Sequence, residues 1–210
     1  MPAHLVRLIV ASWVAVLPGG PVAAQVVPTP AQTEGPYYPL VKLADTDADL
    51  TRVGSGPPAQ GEALTLGGVV RDCLGAPVAS ARFEIWQTDH QGIYLHPGDS
   101  RTGQRDPNFQ FYGELRTDAQ GVYRFRTILP GPYTGRPRHI HAKITPPGGP
   151  TLTTQFYLKG DTDLAGDFVV RRLGKAIERV LIDAQPVPGS AARQASLDVV
   201  TGRGCARADR

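Results

Sequence analysis

The sequence predicts an all-β sandwich preceded by an irregular arm, and three observations carry that expectation. Gly and Pro, 24 and 20 of the 210 residues, give a turn-rich composition that suits short strands better than long helices. Several short runs alternate apolar and polar residues with period two, as half-buried strands require. Turn chemistry separates these runs, which is the pattern of a sandwich rather than of βαβ units. A hydrophobic content of 41% with 20% charged residues excludes a disordered tail and a membrane bundle. A formal charge of +3, with the arginines scattered, excludes a nucleic-acid groove.

Residues 1–24 read as a signal peptide. Arg7 precedes the apolar run of residues 8–17, and the small residues Val22-Ala23-Ala24 follow as a cleavage site. So short an apolar run cannot cross a bilayer of ~30 Å as a helix. The expectation is cleavage after Ala24, a secreted or periplasmic mature chain, and no membrane association once the leader is gone. Residues 25–62 form a Pro-rich arm without sustained periodicity, containing Thr33-Glu34-Gly35-Pro36-Tyr37-Tyr38-Pro39.

The core domain is expected over residues 63–201, with a polar tail over 202–210. Residues 64–70 read as a strand closed by the turn Asp72-Cys73-Leu74-Gly75, and residues 81–88 alternate as a second. Residues 113–117 and 122–127 flank Asp118-Ala119-Gln120-Gly121 and read as a hairpin-like pair. Residues 139–144 and 152–158 give two more strands around Pro146-Pro147-Gly148-Gly149. Beyond Asp167 the signals conflict. Leu173, Ile177, Val180 and Leu181 fit a helical stripe, yet residues 177–182 are β-branched enough for a strand. Residues 197–201 read as a last strand. Export also bears on Cys73 and Cys205: an even count in an oxidising compartment favours a disulfide tying the tail to the start of the core. Two unpaired thiols remain the alternative until their separation is known.

On a strand, His139 and His141 share a face with Ile140 opposite, and two adjacent imidazoles make half of a metal site. Taken alone, the pair also matches two ordinary surface or hydrogen-bonded histidines. Tyr94 by itself could be a packing residue, Tyr133 part of a turn, Arg136 a surface cation and Gln155 unexceptional.

The motifs together carry more. Leu66-x-Gly68-x-Val70, Gly75, Val78, Phe83-Glu84-Ile85 and Gly92-x-Tyr94 are followed by Asp106-Pro107-Asn108-Phe109 and Thr117-Asp118. Then come Pro130-Gly131-Pro132-Tyr133, Arg136-Pro137-Arg138-His139-Ile140-His141 and Thr154-Gln155. This ordered set resembles the intradiol ring-cleavage dioxygenases, which include the catechol 1,2-dioxygenases and the iron-bearing subunit of protocatechuate 3,4-dioxygenases. The resemblance implies a mononuclear non-haem Fe(III) held by Tyr94, Tyr133, His139 and His141. It also implies a catechol-type substrate and O₂ as partners, and a cis,cis-muconate-type product. Substrate binding would displace Tyr133, Arg136 would stabilise the electron-rich ring as a fixed cation, and Gln155 would sit beside it. Pro36 and Tyr37 match the family segment that lines the substrate pocket. The donor set suits a hard trivalent ion: a free phenol has a pKa of ~10, and a multivalent cation is what keeps it ionised at neutral pH. Non-haem Fe(II) oxygenases use two His and one carboxylate instead. Neither His96 nor His90 is expected as a ligand.

There are departures. Phe83 replaces an aliphatic residue, a packing exchange. Only Thr134 and Gly135 separate Tyr133 from Arg136, where better-known members carry a longer insertion, so the mouth of the site is expected to be more open. The arm is too short for the helical dimerisation domain of catechol 1,2-dioxygenases, and a homo-oligomer is left open. Nothing replaces the second chain that helps protocatechuate enzymes bind a substrate carboxylate, so a plain catechol or hydroxyquinol-like ring is expected. A competing expectation is an exported binding or structural module, because Gly68-x-Val70-x-Asp72 and Gly75-Ala76-Pro77-Val78-x-x-Ala81 also occur in non-catalytic prealbumin-like sandwiches. A prealbumin-like β-sandwich core is expected on either reading, and fold does not decide function. The Tyr94, Tyr133, His139 and His141 set discriminates between them. It also argues against zinc, which takes Cys, His or carboxylate.

Overall fold

A computed structural model describes residues 26–133 and 135–205; the expected leader over residues 1–24 lies outside the described residues. In chain order the strands are β1 (Ala63–Arg71), β2 (Arg82–Trp86), β3 (Tyr112–Arg116), β4 (Val122–Ile128), β5 (His139–Thr145) and β6 (Leu152–Leu158). A short helix, α1 (Phe168–Leu173), precedes β7 (Leu181–Ile182), β8 (Gln185–Pro186), β9 (Arg193–Ser196) and β10 (Val199–Val200). These form two five-stranded sheets, the all-β sandwich the sequence predicts.

In the first sheet β1 pairs antiparallel with β4 along one edge, and parallel with β9 and then β10 along the other; β8 lies outside β9. The second sheet runs β3-β2-β5-β6-β7. The core lies between the sheets. Leu64, Leu66 and Phe125 come from one side, and Phe83, Ile85, Ile140, Ala142 and Ile144 from the other, all fully buried. The Phe83 ring lies tilted 4.3 Å from the Tyr123 ring and edge-on 5.5 Å from Phe125, so its extra volume is spent at the centre of the sandwich.

Three local expectations are revised. β3 and β4 are both strands but not a hairpin. β3 pairs with β2 and β4 with β1, so the turn between them carries the chain from one sheet to the other. Period-two alternation tells which side of a strand is buried, not which neighbour it pairs with. Beyond Asp167 both conflicting signals are real, in succession: α1, a 3₁₀ segment over Gly174–Arg179, then β7. The expected last strand over residues 197–201 is the short β10, and β9 before it is a strand the sequence pattern did not predict; the two pair with successive stretches of β1.

The arm has almost no regular structure, yet it seals both open sides of the sandwich. At one side Thr29 N donates to Val200 O and Gln32 N to Thr153 O; at the other Glu114 N donates to Thr46 O and Leu50 N to Arg126 O. Exposed strand edges are thereby paired and blunted. Between these two seams the arm crosses the outer face of the second sheet. Cys73 and Cys205 are disulfide-bonded, with Cα atoms 5.1 Å apart. Cys73 also accepts from Val26 N and donates to Arg203 O, which laces the arm's start, the end of β1 and the tail together.

Candidate metal centre

The strand register assembles the site on the outer face of the second sheet. Tyr112 lies opposite Trp86, Trp86 opposite His141, and His141 opposite Gln155, so one row crosses four strands. The next row holds Glu114, Glu84, Lys143 and Thr153. His139 stands two residues before His141 on the same face, opposite Tyr157. Trp86 stacks on the His141 ring at 4.7 Å and 7°.

Two loops bring the tyrosines. They mate at glycines: a Cβ on Gly92 would lie 2.0 Å from Pro132 O, and one on Gly131 would lie 2.3 Å from Gly92 N. Thr88 Oγ1 donates to Gly131 O at 2.8 Å and Gly131 N to Asp89 O at 2.8 Å, so side-chain-free backbone fixes the spacing of Tyr94 and Tyr133. Tyr94 is clamped further, its N–H donating to Asp99 Oδ2 and its carbonyl accepting from Thr102 Oγ1, both at 2.9 Å. Tyr133 and Arg136 form a one-pair bridge, with Arg136 N donating to Tyr133 O at 2.8 Å, so the short connection turns back on itself.

The four expected ligand residues converge. The Tyr94 and Tyr133 ring centroids are 5.1 Å apart, Tyr133 and His139 5.6 Å, and His139 and His141 4.8 Å. His139 Nδ1 donates to Pro137 O at 2.6 Å, which leaves its Nε2 as a lone pair 3.2 Å from His141 Nε2. Burial pushes the His139 pKa down to about 4 and His141 well below the ordinary histidine value, so both rings are neutral donors. The Tyr94 hydroxyl is buried and has no hydrogen-bond partner. Burial, reinforced by the adjacent Tyr133, pushes its pKa well above 10. Burial raises Tyr133 too, opposed by the Arg136 charge. Two phenols and two imidazoles therefore meet in a dry pocket where the phenols ionise only against a bound cation. Among the described residues, no group of three or more His, Cys, Asp or Glu could hold a metal, so a centre here needs the phenolates. An orphaned phenol and two imidazole Nε2 atoms 3.2 Å apart fit a hard, highly charged ion.

Arg136 lies beside this cluster. Its guanidinium is ion-paired with Asp167 and donates to Gln155 Oε1 at 3.0 Å. Burial works against its charge, but Asp167 together with the nearby Tyr133 and Tyr157 outweighs that and raises its pKa. Gln155 Nε2 reaches back to Thr33 O, and Tyr157 Oη lies 2.9 Å from Gln155 Oε1. The arm supplies the roof. Tyr37 stacks on Tyr94 at 4.7 Å and meets Tyr133 edge-on at 5.7 Å. Gly35 packs so closely on His141 that a Cβ there would lie 3.3 Å from its Cε1. Pro36 itself is exposed. His96 lies 5.4 Å from the Tyr37 ring, and its Nδ1 is taken by Gly98 N.

Sequence reasoning missed Trp86 and Asp167. Trp86 was visible as a member of the outward face of β2. Asp167 carried a helix-cap signal, since its carboxylate accepts from Val170 N at 2.8 Å, but its pairing with Arg136 spans 31 residues and leaves no local trace.

The dioxygenase family model matches residues 33–198, most of the chain and all of these site residues. The chain belongs to the intradiol dioxygenase family. This family member is 38% identical over 157 residues to the protocatechuate 3,4-dioxygenase beta chain of Burkholderia cepacia, covering 70% of this chain and 66% of that one. It is 32% identical over 171 residues to the catechol 1,2-dioxygenase of Acinetobacter baylyi, covering 72% of this chain and 53% of the other. The chain thus spans about two thirds and about half of the length of these relatives. The intradiol fold is also shared with the dioxygenase domain of a dioxygenase–carbohydrate-binding protein fusion from Streptomyces sp. SirexAA-E. The TM-score is 0.66 at 32% identity, over 82% of this chain and 97% of that domain.

Proposed function

We propose that this protein is an exported non-haem Fe(III) dioxygenase that cleaves a catechol-type ring between its hydroxyl-bearing carbons with O₂, giving a cis,cis-muconate-type product. The observation that carries the reading is the convergence of Tyr94, Tyr133, His139 and His141 on one buried pocket, with the Tyr94 hydroxyl left unpartnered. These four would hold the iron. Iron bound there would supply the Lewis acidity that ionises both phenols and activates a catechol-type ring.

The chain's own residues divide the remaining work. Tyr94 is locked by its buried ring and clamped backbone, so it is the fixed phenolate. Tyr133 is partly exposed on the short connection to Arg136, so its Oη is the one free to move and would take a proton from a substrate hydroxyl. Arg136, aimed by Asp167 and Gln155, supplies a fixed positive charge where the ring becomes electron-rich. Tyr37 covers the Tyr94 ring and keeps bulk water off that side of the pocket. A plain catechol or a hydroxyquinol-like ring is the expected substrate, because the sequence offers no counterpart of the second chain that helps protocatechuate enzymes bind a substrate carboxylate. Export is supported by the leader-like residues 1–24 and by the Cys73–Cys205 bridge, which persists in an oxidising compartment.

Protein recovered from the periplasm or medium should have the intact mass of a chain starting at Gln25. Loaded with iron, it should be reddish-brown from phenolate-to-iron charge transfer, and anaerobic catechol should shift the colour. Colourless protein that stays inactive after iron loading would sink the dioxygenase reading and leave the non-catalytic module.

A further inference from the structure

The metal pocket leaves one buried acid unexplained. Glu84, on β2, is 1% exposed and lies in the row beside Trp86 and His141, facing away from the sandwich core. Its Oε1 accepts from Tyr38 Oη at 2.8 Å and from Tyr112 Oη at 2.7 Å. Arg82 Nη2 and Lys42 Nζ, at 3.3 and 3.8 Å, balance its charge. The Tyr38 ring is held on its other sides as well. Lys143 Nζ sits 3.8 Å from its centroid and pairs with Glu34, while Trp86 meets the ring edge-on at 5.0 Å. Burial and the Glu84 hydrogen bond push the Tyr38 pKa up to about 12, so the phenol remains a donor throughout the neutral range.

Tyr38 follows Tyr37 directly, and adjacent Cα atoms are fixed ~3.8 Å apart. The two side chains diverge: Tyr38 plunges into the Glu84 nest, and Tyr37 lies over Tyr94, Tyr133 and His96. We propose that Tyr38, anchored by the buried carboxylate of Glu84, is a positioning residue that seats the arm so that Tyr37 closes the substrate pocket. This rests on the catechol-cleaving reading above. The polar and ring contacts of Tyr38 are with Glu84, Trp86, Lys42 and Lys143; it acts through its neighbour. A charge-assisted bond from arm to sheet is a strong tether for a segment that otherwise lacks regular structure.

The test uses the full iron-loaded chain and the substitution Tyr38→Phe, which keeps the ring and deletes the donor. The KM for catechol should rise about tenfold, the size of one hydrogen bond to a charged group. Turnover should stay within about twofold and the charge-transfer colour should be unchanged. The KM increase should vanish in a Tyr37→Ala background, because the anchor then has nothing to seat. Trypsin cleavage after Lys42, in the segment the anchor holds, should accelerate in Tyr38→Phe and in Glu84→Gln. An unaltered KM overturns the proposal, and so does a KM increase that persists without Tyr37. If the wild-type chain turns over no catechol-type ring, the functional reading fails on its own, and the trypsin arm still decides the seating: cleavage as slow as in the wild type overturns it.

Discussion

Along β5, Ile140, Ala142 and Ile144 point into the sandwich, while His139, His141 and Lys143 point out beneath the arm. The same division runs through β2, where Phe83 and Ile85 oppose Glu84 and Trp86. One face is closed by another sheet and the other by a strap of chain without regular structure. The inner face is held by apolar area, which is non-directional and forgiving of shape. At Glu84, Trp86, His139, His141 and Gln155 the outer face is as buried as the core, but it is held by directional contacts: Gln155 to Thr33, Tyr38 to Glu84, Lys143 to Glu34, and Tyr37 stacked on Tyr94. Burial alone therefore does not separate core from site in this protein; the means of closure does. A dry face closed by directional contacts can keep neutral imidazoles and an orphaned phenol ready for a cation, which a face closed by area cannot.

Two consecutive residues give the sharpest break. His141→Ala removes a donor from the outer face and should abolish metal retention and lower turnover by on the order of 10³-fold, with the fold kept. Ile140→Ala opens a cavity in the core and should cost about 2–5 kcal/mol of stability, while the molecules still folded bind iron and turn over normally. Iron content and denaturant midpoints, measured on both variants, check the pair. Equal losses in both properties for both variants would erase the distinction between the faces.

Much of this division is legible in the sequence, because alternation places His139 and His141 together and Ile140 opposite. The order of the motifs likewise marks Tyr94, Tyr133, Arg136 and Gln155. What the sequence withholds is pairing at long range. Nothing local tells that β3 leaves β4 to join β2, since alternation carries no information about partners. Nor does it show that Asp167 reaches Arg136, that Tyr38 reaches Glu84 across 46 residues, or that the arm at Thr29, Gln32, Thr46 and Leu50 seals both sides of the sandwich. Those contacts exist only once the sheets stack.

The outer face should also carry a pH signature that the inner face lacks. In the metal-free chain, burial holds the His139 pKa at about 4 against 6.5 for an ordinary histidine. The unfolded chain therefore takes up a proton first as the pH falls. The stability tied to a neutral His139 is complete above about pH 6.5, is lost as the pH drops towards 4, and amounts to about 3 kcal/mol. His141 shifts in the same direction. Urea melts of metal-stripped protein at pH 7.5 and 4.5 should show the drop. His139→Gln should reduce it by about that amount, whereas Ile140→Ala should lower both points alike. A wild-type profile no steeper than that of His139→Gln would show that the site does not bury a neutral imidazole at this cost.

The smallest expected effect falls where the two kinds of closure meet. Asp167 caps α1 through Val170 N and holds the Arg136 guanidinium, so one carboxylate serves both helix and site. Asn caps a helix about as well as Asp but brings no charge. Asp167→Asn should therefore keep the cap but leave the half-buried Arg136 without its counter-charge, which lowers the melting temperature through the lost ion pair and loosens Arg136, lowering kcat/KM for catechol about tenfold, at the low end of what lost support behind a metal site costs. Asp167→Ala should show the same kinetic and ion-pair loss plus about 1 kcal/mol of further destabilisation from the missing cap. Because the two variants share the kinetic change and differ in the thermal one, they separate the charge from the cap. If Asp167→Asn turns over at the wild-type rate, the carboxylate belongs to the fold alone, and Arg136 is aimed by Gln155 without it.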